Sequence, residues 1–204
     1  MGGCPSVASL SIAAAIHPPG ARIPTTIPMK HTHYIRQSRL FCMYRNHVLD
    51  IGPYLVGRKV LELGPNKGFL FEKFYPQVPS YTLVEPNPHF EKFYVKLQRR
   101  HRNLHYKISG FENFQTDEKF DTIVMMAVIS HIPMEPTAMV AKIDGMLNPG
   151  GYLIVETNNS KRNLAVFDLC EQRYEKLVVK PSYSGLMRRL KIDYRDVLIY
   201  KKPA

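Results

Sequence analysis

The apolar run Tyr81-Thr82-Leu83-Val84 ends in a lone carboxylate, Glu85, and an earlier run, Val60-Leu61-Glu62-Leu63, ends in the tight turn Gly64-Pro65-Asn66-Lys67-Gly68. A carboxylate closing the second strand of an α/β fold accepts hydrogen bonds from the two hydroxyls of a ribose. A strand that turns sharply into a helix beneath a ligand needs residues without a Cβ, because the backbone takes unusual dihedrals and the ligand approaches it closely. Gly64 and Gly68 meet that need and Glu85 supplies the acceptor, so the two segments together predict a nucleoside-binding α/β domain. A nicotinamide dinucleotide would call for glycines at 64, 66 and 69, where this chain has Gly64, Asn66 and Phe69. That ligand is disfavoured.

A second reactive group is His131, in Ser130-His131-Ile132-Pro133 just past the fourth expected strand, at the sheet edge where open α/β folds bind substrates. It is either a general base for an acceptor of moderate acidity or a histidine that packs and hydrogen-bonds without moving a proton, and the second reading is preferred. The eight histidines have no metal-ligand spacing, and no metal is expected. Cys4, Cys42 and Cys170 are few, odd in number and widely separated, which suits neither a disulfide framework nor zinc. Cys170 reads as an ordinary apolar position on the last helix.

Positioning these groups requires alternating strands and helices. Strands are expected over 59–63, 81–85, 104–108, 120–126 and 152–156, with helices over 68–75, 88–102 and 135–147 between them. Pro88 suits a first helical turn, and Pro149-Gly150-Gly151 reads as a stop signal followed at once by a strand. A helix over 31–55 interrupted by Pro53, a last helix over 161–174, and short strands over 176–180 and 196–201 complete the pattern, with 190–192 an alternative for the first of these strands. The expectation is a Rossmann-like, doubly wound, mostly parallel seven-stranded sheet with an antiparallel edge strand and helices on both faces.

At 204 residues the chain is long enough for one domain with a substantial core. A hydrophobic content of 45% excludes wholesale disorder, and no apolar run approaches the roughly 18 residues that span a bilayer. A soluble protein without a transmembrane segment, in the reducing cytoplasm, is the expectation. The net charge of +11 is spread over two clusters, one of Lys96, Arg99, Arg100, Arg102 and Lys107 and one of Arg188, Arg189, Lys191, Arg195, Lys201 and Lys202, which favours no single stripe for nucleic acid. Residues 1–30 contain no acid and read as a flexible extension preceding a domain over 31–204. Met1-Gly2-Gly3-Cys4-Pro5-Ser6 matches the loose myristoylation pattern, with Cys4 available for a second acyl chain and Pro5 an awkward fit. Organelle targeting would rest on Arg22 and Lys30 alone, which is thin.

From about residue 40 to residue 156 these motifs fall in an order that resembles class I S-adenosylmethionine-dependent methyltransferases of the type 11-like group. The acid-x-Gly-x-Gly-x-Gly motif of that family reads Glu62-Leu63-Gly64-Pro65-Asn66-Lys67-Gly68 here. Glu85 ends the second strand, Gly110-Phe111-Glu112-Asn113 follows the third, and Phe120-Asp121-Thr122-Ile123-Val124 leads the fourth. Leu147-Asn148-Pro149-Gly150-Gly151-Tyr152 resembles the family's Leu-Lys-Pro-Gly-Gly segment. Phe74-Tyr75-Pro76, the run from Glu85 to Phe93 and Glu112-Asn113 are locally similar to alkyl-thiol methyltransferases. Those proteins resemble membrane anchors at their amino ends, a feature this chain lacks, and the likeness lapses after Glu156, where acceptor selection usually resides.

The resemblance implies S-adenosyl-L-methionine as cofactor and assigns roles. Gly64 and Gly68 would admit its methionyl part and Glu62 would orient its ammonium group. Glu85, followed by Pro86, would hold the ribose, Phe111 would lie against adenine, and Glu112 would sit near the adenine edge because the usual acid falls at Gly110. Met126, with Met125, would line the cofactor floor or fill the core, while Tyr34, Tyr44 and His33 would close the site from above. Asn66 stands at the middle glycine position and is the non-glycine residue that best tolerates left-handed dihedrals. The implied activity is methyl transfer to a small-molecule acceptor bearing a thiol, oxygen or nitrogen nucleophile. Two alternatives are an RNA or protein methyltransferase guided by its basic surface, and a non-catalytic binding module whose cofactor site has degenerated at Asn66. The oligomeric state is left open.

Overall fold

The computed structural model describes residues 47, 49–157, 160–182 and 195–204. The expected helix over 31–55 lies mostly outside these residues, as do the amino-terminal extension, His33, Tyr34, Tyr44 and the alternative strand over 190–192. Seven strands, β1 Lys59–Leu63, β2 Ser80–Glu85, β3 Leu104–Ile108, β4 Phe120–Met125, β5 Leu147–Thr157, β6 Glu175–Pro181 and β7 Asp196–Lys201, form one sheet. Among the described residues, four α-helices join them: α1 Phe69–Phe74, α2 Glu91–Arg100, α3 Pro136–Met146 and α4 Lys161–Glu171.

The sheet runs in the order β3-β2-β1-β4-β5-β7-β6. Its first five members pair in parallel, while β7 runs antiparallel to both neighbours. The fold is therefore the expected doubly wound arrangement, with β6 and β7 as the antiparallel edge. Because crossovers are right-handed and the strand order reverses between β1 and β4, α1 and α2 cover one face and α3 and α4 the other. The crevice at that reversal, outside the carboxyl ends of β1 and β4, is where such sheets receive ligands.

Strand alternation divides the side chains between the faces. Leu61, Leu63 and Val84 enter the large core with Phe120, Ile143, Val166 and Tyr200. On the opposite face the register sets Val60 beside Tyr81 and Glu62 beside Leu83, and Phe71 of α1 meets the Tyr81 ring at 5.2 Å. Glu85, two residues beyond Leu83, shares that face. Two carboxylates are thereby brought under α1 and α2.

Two elements depart most from the sequence pattern. The expected helix over 88–102 divides into a 3-10 turn, Pro88–Phe90, and α2. Strand β5 begins at Leu147, ahead of the presumed stop: Leu147 pairs with Phe120, and the register shifts before Tyr152 joins Thr122. Gly150 adopts φ +72° there, and its N–H reaches the carbonyls of Lys202 and Pro203 at 3.1 and 3.2 Å. No α-helix is found between β3 and β4. Phe111 and Phe114, buried at 4% and 7% exposure, cover that part of the sheet instead. No helix among the described residues is long and apolar enough to cross a membrane.

Candidate functional site

The turn after β1 is closed by Gly68 N–H donating to Pro65 C=O at 3.0 Å. Gly64, Asn66 and Gly68 all have positive φ, +66°, +57° and +77°. Glycine is required at 64 for two reasons, since its dihedral is left-handed and an added Cβ would lie 2.3 Å from Val128 Cγ1. Across the strand gap, Glu85 is 1% exposed. Its Oε2 accepts from Asn66 N–H and its Oε1 from Asn87 N–H, each at 3.1 Å. One carboxylate thus ties the turn after β1 to the turn after β2. From α2, the buried Tyr94 hydroxyl donates to Asn66 C=O, and the Tyr81 hydroxyl donates to Glu62 Oε2 at 2.8 Å.

Burial controls the electrostatics of this cluster. It pushes the Glu85 carboxyl up to about 7, against the opposing pull of the Asn87 and Asn66 N–H groups. Burial, reinforced by the neighbouring carboxylates, also holds the Tyr81 and Tyr94 phenols well above their ordinary range. Both phenols stay neutral and donate, which is what buried carboxylate and carbonyl oxygens need. Each oxygen of an ionised carboxylate can accept two hydrogen bonds. Glu85 uses one on each oxygen for backbone, leaving one on each for a pair of hydroxyls. The residues present therefore fit a ribose.

This geometry sits within a chain whose residues 32–184 match the profile of a methyltransferase-domain family. The chain belongs to that family. Over 99 residues it is 35% identical to thiol S-methyltransferase TMT1B of Mus musculus, a match covering 46% of this chain and 40% of that protein. Over 149 residues it is 32% identical to the ubiquinone biosynthesis O-methyltransferase of Xylella fastidiosa, covering 70% of this chain and 55% of that protein. The chain thus spans about half or less of the length of these curated relatives. The N-methyltransferase NodS from Bradyrhizobium japonicum, solved with S-adenosyl-L-homocysteine, superposes with a TM-score of 0.65 at 18% identity, covering 83% of this chain and 91% of that one. That likeness speaks for the methyltransferase fold.

Within this fold the expected site residues separate into groups. Gly64, Asn66, Gly68 and Glu85 come together at the carboxyl ends of β1 and β2, with Pro86 exposed beside them. Glu62 faces the same side and is only 4% exposed, with Tyr81 on its carboxylate. Met126, 5% exposed, lies just past β4 among buried side chains. Phe111 does not present an open ring: it belongs to the core on the opposite face from the Glu85 carboxylate, with Val84 and Leu63, and Lys142 Nζ lies 5.0 Å from its centroid. Glu112 folds back so that its Oε1 would stand 2.1 Å from a Cβ added at Gly110. Its carboxylate therefore fills the space where a side chain at 110 would begin. His131 is exposed, at the end of the 3-10 turn Ile129–His131.

Three participants were missed by sequence reasoning. The sequence places Tyr81 only in the second strand, and Tyr94 only within the helix over 88–102. The available signal was that two acids on one sheet face need buried donors. Ala127, at φ +58° just after β4, is a second left-handed residue without a glycine's freedom. It gave no local sign. A shallow depression of about 390 Å³ lined by Phe114, Asp117, Lys142 and Met146 lies instead toward the carboxyl-terminal turns of α3, at the amino ends of the strands. None of its lining residues belongs to the Gly64–Glu85 cluster.

Proposed function

We propose that the chain is an S-adenosylmethionine-dependent methyltransferase acting on a small-molecule acceptor, and that a thiol is the acceptor to try first. The observation that carries the donor reading is Glu85, a buried carboxylate with one acceptor position left on each oxygen, beside a turn of positive-φ residues. Glu85 would hold the ribose, the backbone at Gly64 and Gly68 would border the methionyl part, and the Glu112 carboxylate above Gly110 would meet the adenine edge. Bound S-adenosylmethionine supplies an electrophilic sulfonium methyl group. The protein's work is then to align the acceptor and exclude water. A thiol has a reference pKa of about 8.5 and needs little help to ionise. An oxygen or nitrogen acceptor needs a proton moved, and exposed His131 stands at the carboxyl edge for that.

The thiol preference is supported by the local likeness to the thiol S-methyltransferase, on a match covering 40% of that protein. Incubation with methyl-labelled S-adenosylmethionine and a panel of small thiols, phenols and amines tests it. Label transfer to thiols, undiminished at pH 8 in His131→Ala, is expected; transfer confined to amines or phenols would refute the thiol assignment. One observation favours a second reading with RNA as acceptor. Lys92, Lys96, Arg99 and Arg100 fall at i, i+4, i+7 and i+8 and are exposed along α2. That reading predicts RNA retention with a steep salt slope.

A further inference from the structure

We infer that Tyr94 is a positioning residue for nucleoside binding, because it holds Asn66 in the left-handed conformation that a glycine would adopt unaided. The inference rests on the donor site proposed above. Asn66 occupies the turn at φ +57°, where L side chains are uncommon. Both of its peptide groups are gripped by buried side chains from different elements. Its N–H donates to Glu85 Oε2 at 3.1 Å, and its C=O accepts from the Tyr94 hydroxyl. Tyr94 is fully buried and Glu85 1% exposed, so water does not compete for either bond.

The same tyrosine braces the far end of the turn. A Cβ added at Gly68 would stand 3.9 Å from Tyr94 Cε1 and 3.1 Å from Leu97 Cδ1, so α2 packs directly beneath the glycine. The Tyr106 ring of β3, with its centroid 5.7 Å away, fixes the phenol from the other side. Since the Asn66 N–H takes one lone pair of Glu85 Oε2, the orientation of the Pro65–Asn66 peptide also sets which lone pair of that oxygen remains for a ribose hydroxyl. Release of the carbonyl would free the Asn66–Lys67 peptide to rotate, and the change in the Asn66 dihedrals would shift the preceding peptide, whose N–H meets Glu85. Turn shape and ribose acceptor are therefore coupled through one residue, and Tyr94 is the group that keeps the coupling in register. Elevation of the phenol by burial keeps it a donor at neutral and mildly alkaline pH.

A double-mutant cycle separates this role from simple packing. Tyr94→Phe keeps the ring and deletes the donor, while Asn66→Gly removes the need for the clamp. Calorimetric titration with S-adenosylhomocysteine is expected to show about tenfold weaker binding for Tyr94→Phe and less than about threefold further loss when the same change is made in Asn66→Gly. Unchanged affinity in Tyr94→Phe, or equal losses in both backgrounds, would overturn the inference. Amide hydrogen exchange in the ligand-free proteins supplies the second readout. Faster exchange of the Asn66 amide in Tyr94→Phe, with the β1 amides unchanged, supports the clamp; unchanged exchange at Asn66 overturns it. Should the wild-type chain bind no nucleoside, the donor reading fails and takes the binding role of Tyr94 with it, while exchange still decides whether Tyr94 holds the turn.

Discussion

Lowering the pH from about 8.5 to about 5.5 carries the Glu85 carboxyl across its titration, because burial places that carboxyl at about 7. Over that span its ionised fraction falls from nearly complete to about 3%. Protonation turns one acceptor oxygen into a donor, which a ribose hydroxyl pair cannot use equally well. Affinity for S-adenosylmethionine should therefore fall about thirtyfold, approaching tenfold per pH unit below 7. The ligand-free protein should move the other way. The carboxyl titrates at 4.5 in its reference state and at about 7 when folded, so between those values the folded chain binds more protons than the unfolded one. Stability from this group is fully present below 4.5 and is lost as the pH rises through 7, with a ceiling of about 3 kcal/mol. The assay is calorimetric titration in steps of pH, run on wild type and Glu85→Ala, with thermal unfolding of both ligand-free proteins in the same buffers. The ligand's own amine titrates near pH 8 in both titrations, so it drops out of the comparison. Equal pH slopes for the two proteins would refute the reasoning, as would a wild-type stability that gains on the variant as pH rises.

Gly64→Ala places a Cβ 2.3 Å from Val128 Cγ1 at φ +66°, so urea denaturation should show a loss of about 2–4 kcal/mol, with Val128→Ala restoring part of it. Ala127→Gly relieves a left-handed alanine at φ +58°; relief of about 1–2 kcal/mol, offset by glycine's entropy of about 0.5–1 kcal/mol, should leave a small net gain in the same assay. Cys170 is fully buried and its thiol is pushed up to about 12. Peptide mapping after brief maleimide treatment should find it unmodified in the native protein and labelled in denaturant.

Much of the sheet could be read from the chain because parallel strands buried on both faces appear as continuous apolar runs. The expected bounds of β1, β3 and β7 match those observed. The start of β5 was not legible, since Pro149-Gly150 looks like a terminator locally. Its strand character depends on Lys202 and Pro203, whose approach only the finished sheet provides. Asn66, Glu85 and the two glycines were found through order and spacing, which place residues along a strand or turn. Phe111 shows what order leaves out: it follows β3 as expected, yet its ring joins the opposite face with Leu63 and Val84. Tyr94 shows the complementary gap. A tyrosine within an amphipathic helix reads as core, and its hydroxyl gains meaning only when α2 lies beneath Asn66.

The most direct test of the donor site is titration of S-adenosylmethionine into the wild-type chain beside Glu85→Ala at about pH 8, where the carboxylate is ionised. Micromolar binding is expected in the wild type, and removal of two charge-assisted hydrogen bonds worth about 1.5–3 kcal/mol each predicts a loss of tenfold or more in the variant. Equal binding by the two proteins, or binding by neither, would contradict the account.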